Sequence, residues 1–269
     1  MRRGYLWLLL VLSLLLAGCT GGNGTEQEET MENKLNQRQI RILESHGLPT
    51  EYEELTTSQC SAIFAIEALL VQLETKYNEE FDYIRYTPGE GAVREHLVAY
   101  PVSAGREMEV ILYRWAQNGQ VQYEDTYNLA KAKPLYSAAV EQFAAEQLDP
   151  ENYRLFLRFY GAKENADQGQ VLKNVSAKTY LFVNGAYVSQ EQCEALGPVW
   201  ENWLKENFGG LSCGVLVARI RDAEFRTLTL DTYSDMLRSK EPFGLRLDYL
   251  IREDGTMRAS RWEADVNDG

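Results

Sequence analysis

Apolar residues recur every three or four positions from Ile63 through Ile66, Leu70 and Leu73 to Tyr77, with Leu69 widening the stripe. That spacing predicts an amphipathic helix. Its start is marked by Thr56-Thr57-Ser58-Gln59, a capping box in which Thr56 and Gln59 satisfy each other's backbone N–H groups. Leu55 before the cap is placed to pack on Cys60, and Asn78, which tolerates left-handed backbone, ends the run. A thinner stripe of Leu35, Ile40 and Leu43 predicts an earlier helix over Asn33 to His46. Gly47, Leu48 and Pro49 close it, because Gly takes the cap and Pro cannot continue a helix.

Beyond Asn78 the pattern changes to aromatic and β-branched segments, which predict strands over Phe81 to Tyr86, Glu95 to Val102 and Glu107 to Trp115. Asn118-Gly119 then predicts a type I′ hairpin into Val121 to Tyr127, since both turn residues tolerate positive φ. Pro134 is placed to open a helix over Leu135 to Gln147. Tyr153 to Tyr160 matches both periods, and its aromatic density and Gly161 favour a strand. Ala162 to Val175 reads as a polar loop, and Tyr180 to Val188 as a hairpin around Asn184-Gly185. A helix over Gln190 to Phe208, with Pro198 inside it, is followed by strands over Val215 to Ile220 and Phe225 to Leu230. Asp231 to Arg238 reads as a helical turn, and Leu245 to Ile251 with Met257 to Trp262 as a last hairpin around Asp254-Gly255.

These elements predict an α+β fold, with helices packed on antiparallel sheets built from hairpins. A coarse echo, helix and then strands, divides the chain into a unit over 33–133 and a second over 134–269. One large domain or two modest ones are equally permitted by the length.

The segment before these elements has a different character. Arg2 and Arg3 are followed by a nearly unbroken apolar run from Tyr5 to Ala17, too short to span a hydrocarbon core of ~20 helical residues comfortably. It fits a secretory signal peptide over 1–18. The run ends in Leu16-Ala17-Gly18-Cys19, which resembles the lipobox of bacterial lipoproteins, and the chain is similar in general to exported lipoproteins of Gram-positive bacteria. The resemblance implies that the Cys19 sulfur carries diacylglycerol and that Cys19 becomes the N-terminus. The alternatives are an ordinary signal peptide with a chance cysteine, or an uncleaved anchor. Residues 19–32, Gly-rich and then carrying Glu26, Glu28, Glu29 and Glu32, read as a flexible acidic tether.

Charge narrows the partners. The 269 residues carry 27 Lys and Arg against 40 Asp and Glu, a net charge of −13, and loss of Arg2 and Arg3 with the leader makes it −15. Such a surface repels phosphate backbones, so no nucleic-acid partner is expected. It also repels anionic headgroups, so the body is expected to stand off the membrane that the lipid grips.

Candidate chemistry is sparse. Gly210-Leu211-Ser212-Cys213-Gly214 spells G-x-S-x-G. A nucleophile elbow, however, needs a strand before and a helix after, and the predicted order is the reverse. No His follows position 96 to serve as a base. His46 reads as a helix C-terminal residue and His96 as a strand residue beside Glu95. Cys60, Cys193 and Cys213 read as packed cysteines, with a Cys193–Cys213 disulfide open as an option in an exported protein. The acidic groups Glu51/Glu53/Glu54, Glu79/Glu80/Asp82 and Asp231/Asp235 lack calcium-loop spacing. No catalytic, cofactor-binding or metal-ligating residue is assigned, and no cofactor is expected.

Aromatic residues are plentiful, including Trp115, Trp200, Trp203 and Trp262 in or beside predicted elements. They read first as core and second as anchors for a protein or sugar. The expectation is therefore a membrane-anchored extracytoplasmic binding module for an envelope protein, peptide or glycan. The alternative is an envelope hydrolase built on paired carboxylates or on a pair of His96 with Cys60 or Cys213.

Overall fold

The computed structural model describes residues 35–164, 170–239 and 243–263. The protein is of the α+β class, with helices packed against two sheets, one of four strands and one of five. By packing, the chain divides into two units at Ala65/Ile66.

In the N-terminal unit, helix α1 spans Gln37–Ser45 and is capped by Asn36. The Asn36 side chain accepts from the Gln39 N–H at 2.8 Å, and Gln39 returns the bond to the Asn36 N–H. Gly47 closes the helix at φ 65°, and Leu48 N–H donates to Leu43 O at 3.0 Å, as the Gly-Leu-Pro ending predicted. Helix α2, Thr57–Tyr77, starts at the predicted box, with Thr56 N–H donating to Gln59 Oε1 at 2.8 Å. Asn78 follows it at φ 51°.

The larger unit contains both sheets. Strands β1 (Phe81–Thr87), β2 (Glu95–Pro101), β3 (Val110–Gln117) and β4 (Gln120–Asp125) form an antiparallel meander in chain order. The β3–β4 turn is Asn118-Gly119, both at positive φ. On one face of this sheet, Phe81, Leu97, Ala99, Val110 and Leu112 are buried, as are Leu69, Leu70 and Leu73 of α2. Tyr77 and Lys76 at the end of α2 bond Asp125 of that same face at 2.6 and 2.8 Å.

Helix α3 spans Tyr127–Gln147 and carries Pro134 in its interior. The sequence reading started this helix at Pro134. The chain instead turns helical directly after β4, through the strong helix formers of Leu129-Ala130-Lys131-Ala132-Lys133, and absorbs one missing N–H. Strand β5, Tyr153–Ala162, confirms the strand over the helix reading. Short helix α4, Val171–Asn174, lies within the expected loop.

The second sheet departs most from expectation. Strand β6, Val175–Asn184, runs through the predicted hairpin and pairs in parallel with β7, Cys213–Ile220. Asn184-Gly185 therefore does not reverse the chain. Its amide side chain bonds Asp222 at 2.8 Å and accepts from Ala186 N–H, and Arg219 holds the Gly185 carbonyl at 2.6 Å. The connection runs through helix α5, Gln190–Glu206, because parallel neighbours need a crossover. Strands β8 (Phe243–Ile251) and β9 (Met257–Glu263) complete the order β5-β6-β7-β8-β9. With its parallel pair, this sheet does not repeat the meander topology of the first. The predicted strand over Phe225 to Leu230 is instead helix α6, Asp222–Thr227, followed by α7, Tyr233–Arg238.

Central strands β6 and β7 are buried on both faces. Ala177, Leu181, Val183, Val215 and Val217 pack with Tyr136 of α3 and with Cys193, Trp200 and Trp203 of α5. On the other face Tyr180, Phe182, Leu216, Ala218 and Ile220 pack under Phe225 of α6 and Leu228. This three-layer arrangement explains the unbroken apolar runs Tyr180–Val183 and Val215–Ala218.

Candidate functional site

The first sheet has a second face, opposite the one that carries Phe81 and Leu112. Side chains alternate along a strand, and the β2–β3 register sets His96 against Tyr113 and Val98 against Ile111. Tyr100 and Trp115 extend the same face at either end. Tyr100, Ile111, Tyr113 and Trp115 are half-buried, whereas Val98 between them is buried. Four large side chains thus share one twisted surface on two adjacent strands.

Polar partners hold this surface in place. Tyr100 Oη donates to Asp82 at 2.8 Å, and the Arg106 guanidinium lies 5.7 Å from the Tyr100 ring centroid. Arg94 sits 4.8 Å over Trp115 and reaches Glu124 at 3.4 Å. His96 stands 5.5 Å from Tyr113, and its Nδ1 pairs with Arg94 O at 3.0 Å. On the opposite face, alongside Leu97 and Leu112, Arg114 binds Glu95 with two nitrogens, at 2.5 and 2.6 Å, and Tyr86 Oη donates to the same carboxylate at 2.7 Å. Burial and the Glu95 charge push the Tyr86 phenol up, so it stays a donor at neutral pH. Rings fixed in this way lose little rotational freedom on meeting a partner.

The other candidates separate. Cys19 and the tether lie outside the described residues. Cys60 is half-buried, whereas Cys193 and Cys213 are buried, and all three are free thiols, so the optional disulfide is not formed. Cys213 belongs to β7 and His96 to β2, on different sheets, so the fold does not join them in a nucleophile pair. Burial pushes the Cys213 thiol up to about 11, away from the thiolate a nucleophile needs.

The acidic groups are engaged locally. Glu79 accepts from the hydroxyls of Ser103 and Tyr127. Burial works to raise its carboxyl, but those two bonds and the Lys131 charge bring it below the ordinary range. Asp82 serves Tyr100, and Asp235 pairs with Arg238 at 3.1 Å. Glu74, Asn78, Glu79 and Glu80 line an open acidic depression. Among the described residues no group of three or more His, Cys, Asp or Glu is arranged to hold a metal ion.

The G-x-S-x-G motif is accounted for by crowding. Gly210 sits at φ 81°, and a Cβ on Gly214 would come 2.8 Å from Tyr249 O. A Cβ on the preceding Gly209 would come 1.9 Å from Lys173 O. Gly209→Ala is therefore expected to cost about 1–3 kcal/mol, since backbone must move to admit it. Urea unfolding of that variant checks this, and an unchanged midpoint would contradict the packing at the α5–β7 turn. Of the four tryptophans among the described residues, Trp200 and Trp203 are core, Trp262 packs beside Phe243, and Trp115 belongs to the aromatic face.

No described helix is long and apolar enough to cross a membrane. No protein family, curated protein or solved structure matches this chain.

Proposed function

We propose that this chain is a lipid-anchored protein of the cell envelope that works by binding, and that the aromatic face of β2 and β3 is its contact surface. The reading is carried by one juxtaposition: Tyr100, Tyr113 and Trp115 lie half-exposed on one sheet face while the other large aromatic clusters fill cores. Rings of this kind stack on the apolar faces of sugars or anchor a peptide, and Arg94, Arg106 and Asp82 supply a polar rim. The Leu16-Ala17-Gly18-Cys19 sequence supports the anchor, with Cys19 as the acylated residue.

Two measurements test it. Mass spectrometry of the membrane-extracted protein should find a diacylated Cys19 stub, and an unmodified cysteine or retained leader would remove the address. A photoreactive residue at Tyr113 should crosslink a discrete partner in intact cells, whereas one at exposed Leu230 should not. Equal yields at both sites would remove the surface.

A further inference from the structure

One row crosses all five strands of the second sheet and carries a positive charge on three of them, β5, β6 and β9. The register sets Arg158 beside Lys178, Lys178 beside Gly214, Gly214 beside Leu250, and Leu250 beside Arg258. Because side chains alternate, these residues share a face with Arg154 and Arg246, each four residues along its strand from the row. On that face Asp248 is the acid among the described strand residues. It already serves Lys178 at 2.9 Å and Arg246 at 3.5 Å. Arg158 and Arg258 are exposed and have no carboxylate partner among the described residues. Helices α6 and α7 cover the neighbouring part of this face, over Phe156, Phe182 and Leu216, and the hydrophobic cluster beneath them does not include the basic row. Gly214 gives the middle of the row no side chain, and Tyr160, 57% exposed, flanks it under Arg158 at 5.6 Å.

In a chain of net charge −13 this is a concentrated exception. Charges farther away than a Debye length, ~10 Å at 0.1 M salt, do little to cancel it at contact. Five strands at ~4.8 Å spacing make the row about 19 Å wide. A cationic row bordered by an exposed tyrosine is complementary to an anionic headgroup layer, where Tyr sits well at the interface. We infer that this face docks the body onto anionic lipid headgroups. The inference rests on the proposed Cys19 anchor, which keeps such a surface within reach. It replaces the stand-off expected from net charge by an orientation: basic row inward, acidic remainder outward.

The test uses the full chain purified from membranes, with the Cys19 stub weighed first. It is reconstituted on vesicles of phosphatidylcholine, or of phosphatidylcholine with phosphatidylglycerol. Amide hydrogen exchange in β5 and β9 should slow several-fold on the anionic vesicles only. Added salt should abolish the slowing, and so should Arg158→Glu with Arg258→Glu, while β4 in the other sheet exchanges equally throughout. A missing acyl stub overturns the anchor and the docking together. An intact stub with equal exchange in β5 and β9 on both vesicles overturns the docking alone.

Discussion

Trp200→Ala is expected to lower stability by about 3–5 kcal/mol and the melting temperature by roughly 6–20 °C. Trp200 is 0% exposed at the centre of the layer between α3, α5 and the second sheet. Its ring meets Phe143 edge-on at 4.8 Å and Trp203 at 5.5 Å. Alanine leaves a hole that backbone-fixed neighbours on two helices and a sheet cannot fill. Trp200→Phe should recover most of the loss. It keeps aromatic packing and removes an indole N–H that has no partner among the described residues. Trp115→Ala, on the half-exposed face of the other sheet, should cost no more than about 1 kcal/mol. Thermal and urea unfolding of the three variants decide this. Equal losses at positions 115 and 200 would contradict both the core and the assignment of Trp115 to a contact surface.

Alkaline unfolding is the second large effect. Burial pushes the Cys193 thiol up to about 12, with Glu194 adding and Arg219 opposing, and it pushes Cys213 up to about 11. Burial and hydrogen bonding to Asp125 raise the Tyr77 phenol to about 12, and burial likewise raises Tyr180 to about 12. In the unfolded chain thiols lose their protons near pH 8.5 and phenols near pH 10. Between those values and the folded ones the native state holds more protons, so stability falls as pH rises. It is complete below about pH 8 and should decline by a few kcal/mol by about pH 11. Urea unfolding as a function of pH measures the slope. Cys193→Ala with Cys213→Ala should flatten it, and parallel profiles for parent and variant would refute the assignment. At about pH 8 a thiol reagent should modify Cys60 and spare the two buried thiols of the folded protein.

Local structure was legible wherever one short segment contains its own cause. The Thr56–Gln59 box, the Gly47 closure, the Asn118-Gly119 turn and the Asp254-Gly255 turn are satisfied by atoms within a few residues, and each stands as read. Two misreadings in the second sheet's region share the opposite property. Asn184-Gly185 has the residues of a hairpin, but its partners are Asp222, Arg219 and Ile220 from the far side of a crossover. Phe225 looks like a strand residue because it is buried, yet it is buried as the inward side of a short helix. The apolar runs Tyr180–Val183 and Val215–Ala218 were the available signal for a doubly covered parallel pair.

The amino-acid order alone determined the charge, the caps and turns, and the α+β class, because these depend on composition or on neighbours along the chain. Tertiary structure alone decided that the sheets differ in topology, that Cys213 and His96 lie apart, and that three aromatics share one face. It alone decided that Arg158, Lys178 and Arg258 form a row. Each of these depends on the register between strands distant in sequence, and register is set by which side chains the packed layers bury together.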